Sequence, residues 1–345
     1  MDSYDLNRIA KALVGPSVGI LAADESTGTI EKRFQAIGIE ATEENRRNYR
    51  EMLVTTEGIS QYISGVILYD ETIKQMSSEG LRLVDVIVSR NLIPGIKVDT
   101  GAKPLAGTRD ELVTEGLDGL RQRLAEYREL GARFTKWRAV IAIGNDIPSS
   151  YCIHVNAHAL GRFAALTQEA GMVPIVEPEV LMDGTHNIDV CHDVTKATLK
   201  QVFYELNSQG VDLTGMLLKP NMILPGKSCS IKTEVSEIAE RTIDCFKDAI
   251  PESVPGIVFL SGGQSDDDAT VNLDAINRKA REIGVPWELS FSYGRGLQSA
   301  PLKIWNGDDL NQIRSQQAFY NRAYLTSAAR QGKYDKVMET NLLEM

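Results

Sequence analysis

The 345-residue chain lacks any run approaching the ~18 consecutive apolar residues that a membrane helix needs, so no membrane association is expected. Cysteine is scarce. The four present, Cys152, Cys191, Cys229 and Cys245, are widely spaced and form no Cys-x-x-Cys pair, which fits reduced thiols in a cytosolic protein. Histidine is as rare, with four residues. His154 and His158 stand at i, i+4 on a predicted helix, as metal ligands can. No glutamate base accompanies them as in His-Glu-x-x-His, and Ala157 and Leu160 beside them mark a packing face. His186 and His192 fall in or near a loop. No metal and no cofactor is therefore expected. Basic residues are outnumbered 37 to 47, and the net charge of -10 speaks against a nucleic-acid partner. The start, Met1-Asp2-Ser3-Tyr4-Asp5, is acidic and lacks a basic n-region, so no signal peptide is expected and the predicted location is cytoplasmic.

What the chain does have is a rhythm. Hydrophobic residues make up 43% of it and charged ones 24%, ample for a large core. An amphipathic helix is predicted over about 2–14, with Leu6, Ile9, Ala10 and Leu13 on one face and Gly15-Pro16 as the stop. Eight aliphatic runs follow, over 18–23, 65–69, 93–98, 134–140, 173–176, 215–219, 256–260 and 287–293. Helical patterns separate most of them, over about 42–57, 110–130, 150–170, 189–209, 233–250 and 267–283, and a last one covers about 309–331. Thr42 is a good N-cap for the first of these, and Glu43 and Glu44 suit its positive end. Alternation of this kind predicts a parallel sheet, and eight units without a linker predict one α/β domain over 1–345, a closed (β/α)8 TIM barrel. The tail, about 335–345, is expected to be mobile. An open doubly wound sheet is the alternative. It would show Gly-x-Gly-x-x-Gly after the first strand, where this chain has Ala23-Asp24-Glu25-Ser26-Thr27-Gly28.

In a barrel the chemistry sits at the carboxyl ends of the strands. Asp24, Lys97, Asp99, Lys136, Arg138, Glu177, Glu179, Lys219, Ser261 and Arg295 fall at such ends and would converge on one mouth. The centre is Gly215-Met216-Leu217-Leu218-Lys219-Pro220-Asn221, a short apolar run ending in a lysine and stopped by proline. A desolvated lysine loses its proton more easily and becomes a candidate Schiff-base nucleophile, although a lone lysine often just caps a strand and snorkels to water. Lys136 and Arg138, at period two on one strand face, would place like charge beside Lys219. Attack on a ketone then gives an iminium, an electron sink. Glu177 can protonate the hydroxyl that leaves as water, and Asp24 can accept a hydroxyl proton during carbon–carbon cleavage. Asp99 and Glu179 fit a supporting, structural role better. A cationic mouth in an acidic chain calls for a phosphorylated, polyhydroxy substrate. Ser261-Gly262-Gly263 and Gly294-Arg295-Gly296, on the seventh and eighth strands, are the candidate phosphate cradles.

These residues also resemble a known family along nearly the whole chain, the class I fructose-bisphosphate aldolases. The matching segments are Leu21-Ala22-Ala23-Asp24-Glu25-Ser26-Thr27-Gly28, Val173-Pro174-Ile175-Val176-Glu177-Pro178-Glu179, Leu218-Lys219-Pro220-Asn221-Met222 and Phe259-Leu260-Ser261-Gly262-Gly263-Gln264-Ser265. Phe291-Ser292-Tyr293-Gly294-Arg295 and Ala328-Ala329-Arg330-Gln331-Gly332-Lys333-Tyr334 look like further family motifs. The resemblance implies that Lys219 forms the Schiff base and that Asp24, Lys136 and Glu177 are the acid–base groups. It also implies that Arg138 contacts substrate. Ser261, Gly262, Gly294 and Arg295 match the C1-phosphate site, and Ser26, Thr29, Arg33 and Lys97 match the C6-phosphate region. The implied reaction is metal-independent, reversible cleavage of fructose 1,6-bisphosphate in glycolysis and gluconeogenesis, in a cytosolic homotetramer. Other ketose bisphosphates such as sedoheptulose bisphosphate, or a non-catalytic scaffold role, are the competing expectations. Relatives commonly end in a tyrosine that assists proton exchange, whereas the last tyrosine here is Tyr334. Slower exchange, or its assignment to another group, is expected from that.

Overall fold

Alternation of side chains along each strand decides this architecture. The structure, a computed structural model, describes residues 3–341. In chain order its strands are β1 (Gly19–Ala22), β2 (Ile63–Leu68), β3 (Ile93–Lys97), β4 (Gly101–Pro104), β5 (Leu112–Glu115), β6 (Phe134–Ile141), β7 (Val173–Val180), β8 (Leu217–Leu218), β9 (Gly256–Phe259) and β10 (Glu288–Tyr293). Eight of them pair in parallel and close on themselves in the order β1-β2-β3-β6-β7-β8-β9-β10, with helices between. β4 and β5 form a separate antiparallel hairpin.

One face of each barrel strand points inward. Ile20, Ala22, Ile67, Phe134, Val173, Ile175, Leu217 and Val258 pack together there, and Leu6, Ala10, Leu13 and Val14 join them. The predicted first helix, seen here as Ser3–Leu13, therefore seals the amino-terminal floor of the barrel. The alternate residues, among them Leu21, Val66, Val176, Leu218 and Ile257, face outward into the larger core beneath the helices. Each fully buried aliphatic side chain contributes ~1.5–3 kcal/mol relative to exposure, so this two-sided burial fixes the register of every strand. Gly95 shows how tight the floor is. A Cβ there would come within 2.3 Å of the Phe134 ring, so only glycine leaves room for it.

The sequence expectations hold for all eight strands and for the long helices Ser150–Glu169, Ile188–Ser208, Val235–Ala249 and Asp266–Ile283. Thr42 accepts the Asn45 N–H as the cap of Glu43–Val54. One expected helix is shorter than its pattern. The stretch 110–130 becomes β5, a turn and the helix Leu120–Leu130. Gly116 and Gly119 take φ of 128° and 66°, and Asp110 takes 58°, conformations that no α-helix accommodates. Before the tail, four described α-helices fall outside the predicted pattern: Thr27–Gln35, Asp70–Lys74, Leu83–Ser89 and Arg295–Trp305. The last carries Pro301 inside it and opens at the glycines expected to form a phosphate-binding loop. The segment expected to be a mobile tail contains a short helix, Val337–Asn341, with Glu339 on Arg322 at 2.7 Å. Residues 1–2 and 342–345 lie outside the described residues, so those parts of the helix and tail expectations do too.

Candidate active site

Two residues further up each inward face, the apolar floor gives way to charge. Phe134 is followed at period two by Lys136 and Arg138, Ile175 by Glu177 and Glu179, Leu217 by Lys219, and Ala22 by Asp24. β1, β3 and β8 end at this level while β6 and β7 run on to Ile141 and Val180, and the polar residues line a cavity of ≈ 450 Å³. The cavity gathers Asp24, Ser26, Thr29, Arg33, Lys97, Lys136, Arg138, Glu177, Glu179, Lys219, Ser261, Gly262, Gly294 and Arg295. Two of the expected residues stand behind its wall. Asp99 is buried, with Oδ1 3.3 Å from Lys97 Nζ and Oδ2 accepting the main-chain N–H of Arg138 at 3.2 Å. Gly263 turns the chain after β9 with φ of 85°, a conformation that favours glycine.

Lys219 does not snorkel. It is 4% exposed, Lys136 4% and Glu177 3%. Their charges alternate in a chain. Lys219 Nζ lies 3.3 Å from Glu177 Oε1, Lys136 Nζ lies 3.4 Å from Glu177 Oε2, and Lys136 Nζ lies 2.6 Å from Asp24 Oδ2. Lys136 therefore meets Lys219 across a shared carboxylate, so the expected like-charge neighbour arrives together with its counter-charge. Burial alone would push the Asp24 carboxyl up, but Lys136, Lys219 and Lys97 outweigh it and hold it at about 2. Glu177 is moved the same way: burial raises it, and Lys219, Lys136 and Arg138 together bring it below the usual carboxylate range. Burial opposes the charge on Lys136, yet Asp24, Glu177 and Asp99 drive its pKa well above the ordinary lysine value. At neutral pH the cluster thus holds two carboxylates and a firmly protonated Lys136.

The sign of the Asp24 effect gives a pH prediction. Its pKa is depressed on folding, so its contribution to stability is present above the ordinary aspartate value of about 4 and drains away as pH falls toward about 2. Urea unfolding of the wild type and Asp24→Asn should show a gap at about pH 6 that shrinks to roughly half by about pH 3. A gap that stayed constant would mean the contribution is not ionic.

The rim carries the residues expected to bind phosphate. Ser261 Oγ accepts the Gly296 N–H at 3.3 Å, which ties the end of β9 to the N-terminus of the helix Arg295–Trp305. Helix starts leave N–H groups without internal partners and carry partial positive charge, so this corner suits a phosphate. At Gly262 a Cβ would come within 2.9 Å of Glu179 Oε1, so a side chain there would have to displace that carboxylate. Glu179 in turn accepts from Arg138 Nε and holds that guanidinium at the mouth. On the opposite side, Ser26 Oγ and Thr29 Oγ1 share a hydrogen bond of 3.0 Å, and Arg33 points in from the same helix. Four lining residues carried no expectation: Ala22, Glu25, Leu260 and Ser292. Glu25 Oε1 lies 2.5 Å from Arg33 Nη1 and accepts from Gln298 Nε2 at 2.9 Å, so it sets the arginine. Ser292 Oγ is buried on β10 without a hydrogen-bond partner, a free hydroxyl against the cavity. Period two from Ser290 is the signal that could have found it.

The histidines stand apart. His158 Nδ1 lies 3.0 Å from Glu205 Oε2 on the outer helices, while Ala157 and Leu160 are packed inward. Among the described residues no group of three or more His, Cys, Asp or Glu is placed to hold a metal ion, and no helix is long and apolar enough to cross a membrane. All four cysteines are free thiols.

A buried amine held among carboxylates, beneath two anion-binding corners of a parallel barrel, is the equipment of a lyase acting on phosphorylated sugars. The comparisons with known proteins agree. The family model described as fructose-bisphosphate aldolase class-I matches residues 5–344. A probable fructose-bisphosphate aldolase class 1 of Xanthomonas campestris pv. campestris is 54% identical over 335 residues, 97% of this chain and 99% of that one. The cytosolic fructose-bisphosphate aldolase 4 of Arabidopsis thaliana is 50% identical, over 96% of this chain and 84% of its own. A solved structure of the Plasmodium falciparum aldolase, in complex with TRAP and a small-molecule inhibitor, superposes with a TM-score of 0.95 at 44% identity, covering 96% of each chain. The chain belongs to the class I fructose-bisphosphate aldolase family, and its activity is that family's aldehyde-lyase reaction.

Proposed function

We propose that the chain cleaves fructose 1,6-bisphosphate reversibly to dihydroxyacetone phosphate and glyceraldehyde 3-phosphate through an iminium at Lys219, in glycolysis and gluconeogenesis. The observation that carries the assignment of roles is the charge chain Lys219–Glu177–Lys136–Asp24. Lys219 passes a proton to the ionised Glu177 and attacks the C2 carbonyl carbon as a free amine. The resulting carbinolamine loses its hydroxyl as water, with Glu177 returning the proton to that oxygen. The C3–C4 bond then breaks. Its electrons flow into the iminium to give an enamine, and Asp24 takes the C4 hydroxyl proton as the aldehyde forms. Protonation of the enamine at C3 and hydrolysis by water release the second product and restore Lys219. Lys136 stays charged throughout and holds both carboxylates in their basic form.

Ser261, Gly262, Gly294 and Arg295 hold one phosphate, and Gly263 turns the chain behind them. Ser26, Thr29, Arg33 and Lys97 hold the other, and Arg138 contacts the substrate between them. Asp99 and Glu179 support the cations. No metal or cofactor enters any step. The family resemblance supports a homotetramer, and the names of the plant relatives support a cytoplasmic location.

Intact-mass analysis after borohydride treatment tests the chemistry, with dihydroxyacetone phosphate and EDTA present. A single adduct on the peptide holding Lys219 is expected. Loss of both adduct and activity in EDTA would overturn the reading in favour of a metal-dependent route.

A further inference from the structure

The strand that delivers Lys219 is the shortest in the barrel, and it is poorly stitched to its neighbours. β8 pairs with β7 only through Ile175 with Leu217 and Val176 with Leu218, and with β9 only through Leu218 and Ile257. Beyond it the Lys219 N–H still reaches Val176 O at 2.8 Å. There the β7 ladder stops, for a reason written in the sequence. A parallel ladder would next use the N–H of residue 178 to bond the carbonyl of Lys219, but residue 178 is proline. Residue 220, facing it, is proline too. The carboxylates on β7 and the nucleophile opposite them therefore face each other where β7–β8 main-chain pairing has been removed, while the β6–β7 ladder runs on to Val180 and the Leu260 N–H still bonds Pro220 O at 3.2 Å.

One side chain spans the gap. Asn221 Oδ1 accepts the Val180 N–H at 3.0 Å, the donor that main-chain pairing would otherwise have used. Its Nδ2 donates to Met222 O at 3.0 Å and to Thr195 Oγ1 at 3.1 Å, on the helix Ile188–Ser208. Asn221 is 5% exposed and does not line the cavity. We propose that Asn221 is a positioning residue, a side-chain replacement for the interrupted ladder that fixes Lys219 Nζ against Glu177. The proposal rests on the reading of Lys219 as the nucleophile. The step it governs is proton exchange between Lys219 and Glu177, which sit 3.3 Å apart. The phosphate corner is built on β9 and on the helix Arg295–Trp305, and Asn221 hydrogen-bonds to neither. Loss of the amide should therefore slow iminium formation and leave phosphate binding as it was.

The test compares two polar replacements in the full-length protein. Asn221→Ser is too short to reach Val180, whereas Asn221→Asp keeps the acceptor. The measurements are the rate of borohydride-trapped adduct formation at saturating dihydroxyacetone phosphate, kcat and KM for fructose 1,6-bisphosphate, and inhibition by inorganic phosphate. Misplacement by about 1 Å costs roughly 10²-fold, so Asn221→Ser should trap and turn over ~10–100-fold more slowly. KM and phosphate inhibition should stay within about twofold, and Asn221→Asp should recover most of the rate. Trapping by Asn221→Ser at the wild-type rate would overturn the proposal. So would an Asn221→Asp variant as slow as the serine one, or KM and phosphate inhibition worsening in step with kcat. If the wild type itself gave no adduct at Lys219, the nucleophile assignment would fall first and the positioning role with it.

Discussion

Replacing Lys219 by methionine should abolish cleavage, lowering kcat by ~10⁴-fold or more, while the barrel stays folded. Methionine keeps the length and the apolar stem of the lysine, and the stem lies among buried residues. What disappears is the amine. The cavity holds a second buried amine, Lys136, so it matters whether that group could take over. It cannot do so as placed. Asp24 lies 2.6 Å from its Nζ and Glu177 3.4 Å, and these carboxylates keep it protonated and without a lone pair to attack with. Steady-state kinetics with a thermal melt checks this. Residual activity above about one per cent, with an adduct mapped to Lys136, would reverse the assignment of the two lysines.

Lys136→Met should hurt in two ways at once. It leaves Asp24 and Glu177 buried without the cation that both use. Removing one partner of a buried ionic group costs about 3–5 kcal/mol, and losing the charge that keeps both bases ionised should lower kcat by ~10²–10⁴-fold. The pH dependence separates this from simple loss of packing. Without Lys136 the two carboxyls rise above their present depressed values. The wild type holds the stabilisation from these depressed pKa values above about pH 4 and loses it as pH falls toward about 2, so urea unfolding should show the variant's deficit narrowing from about pH 6 to about pH 3. A deficit equal at both ends would assign it to packing.

How much of this can be read in the chain depends on range. Period two is a local signal, so Lys136 with Arg138 and Glu177 with Glu179 are legible as same-face pairs from the residue order alone. The position of Lys219 at a strand end is legible from Pro220. The interleaving of carboxylates between the lysines is not, because it depends on β7 lying between β6 and β8. Glu25 and Asn221 escape for a related reason. Each works through hydrogen bonds to residues on other elements, Gln298 for one and Val180 and Thr195 for the other. Strand β5 is hidden because it falls in the stretch 110–130, which reads as one helix until the left-handed glycines are counted, and the helix Arg295–Trp305 because Pro301 argues against one.

The sealed floor of the barrel has a kinetic meaning. Leu6, Ala10, Leu13 and Phe134 close the amino-terminal end of the barrel, which leaves the cavity to open at the carboxyl-terminal mouth. Substrate and both fragments must share that exit, so they cannot pass through in single file as in a tunnel. On the mechanism proposed above, the piece bonded to Lys219 stays moored at the back while the free aldehyde leaves past it. Release order is then dictated by tethering. In the reverse direction the same geometry loads the ketone first and admits the aldehyde second, so the enzyme queues its two partners without a moving gate.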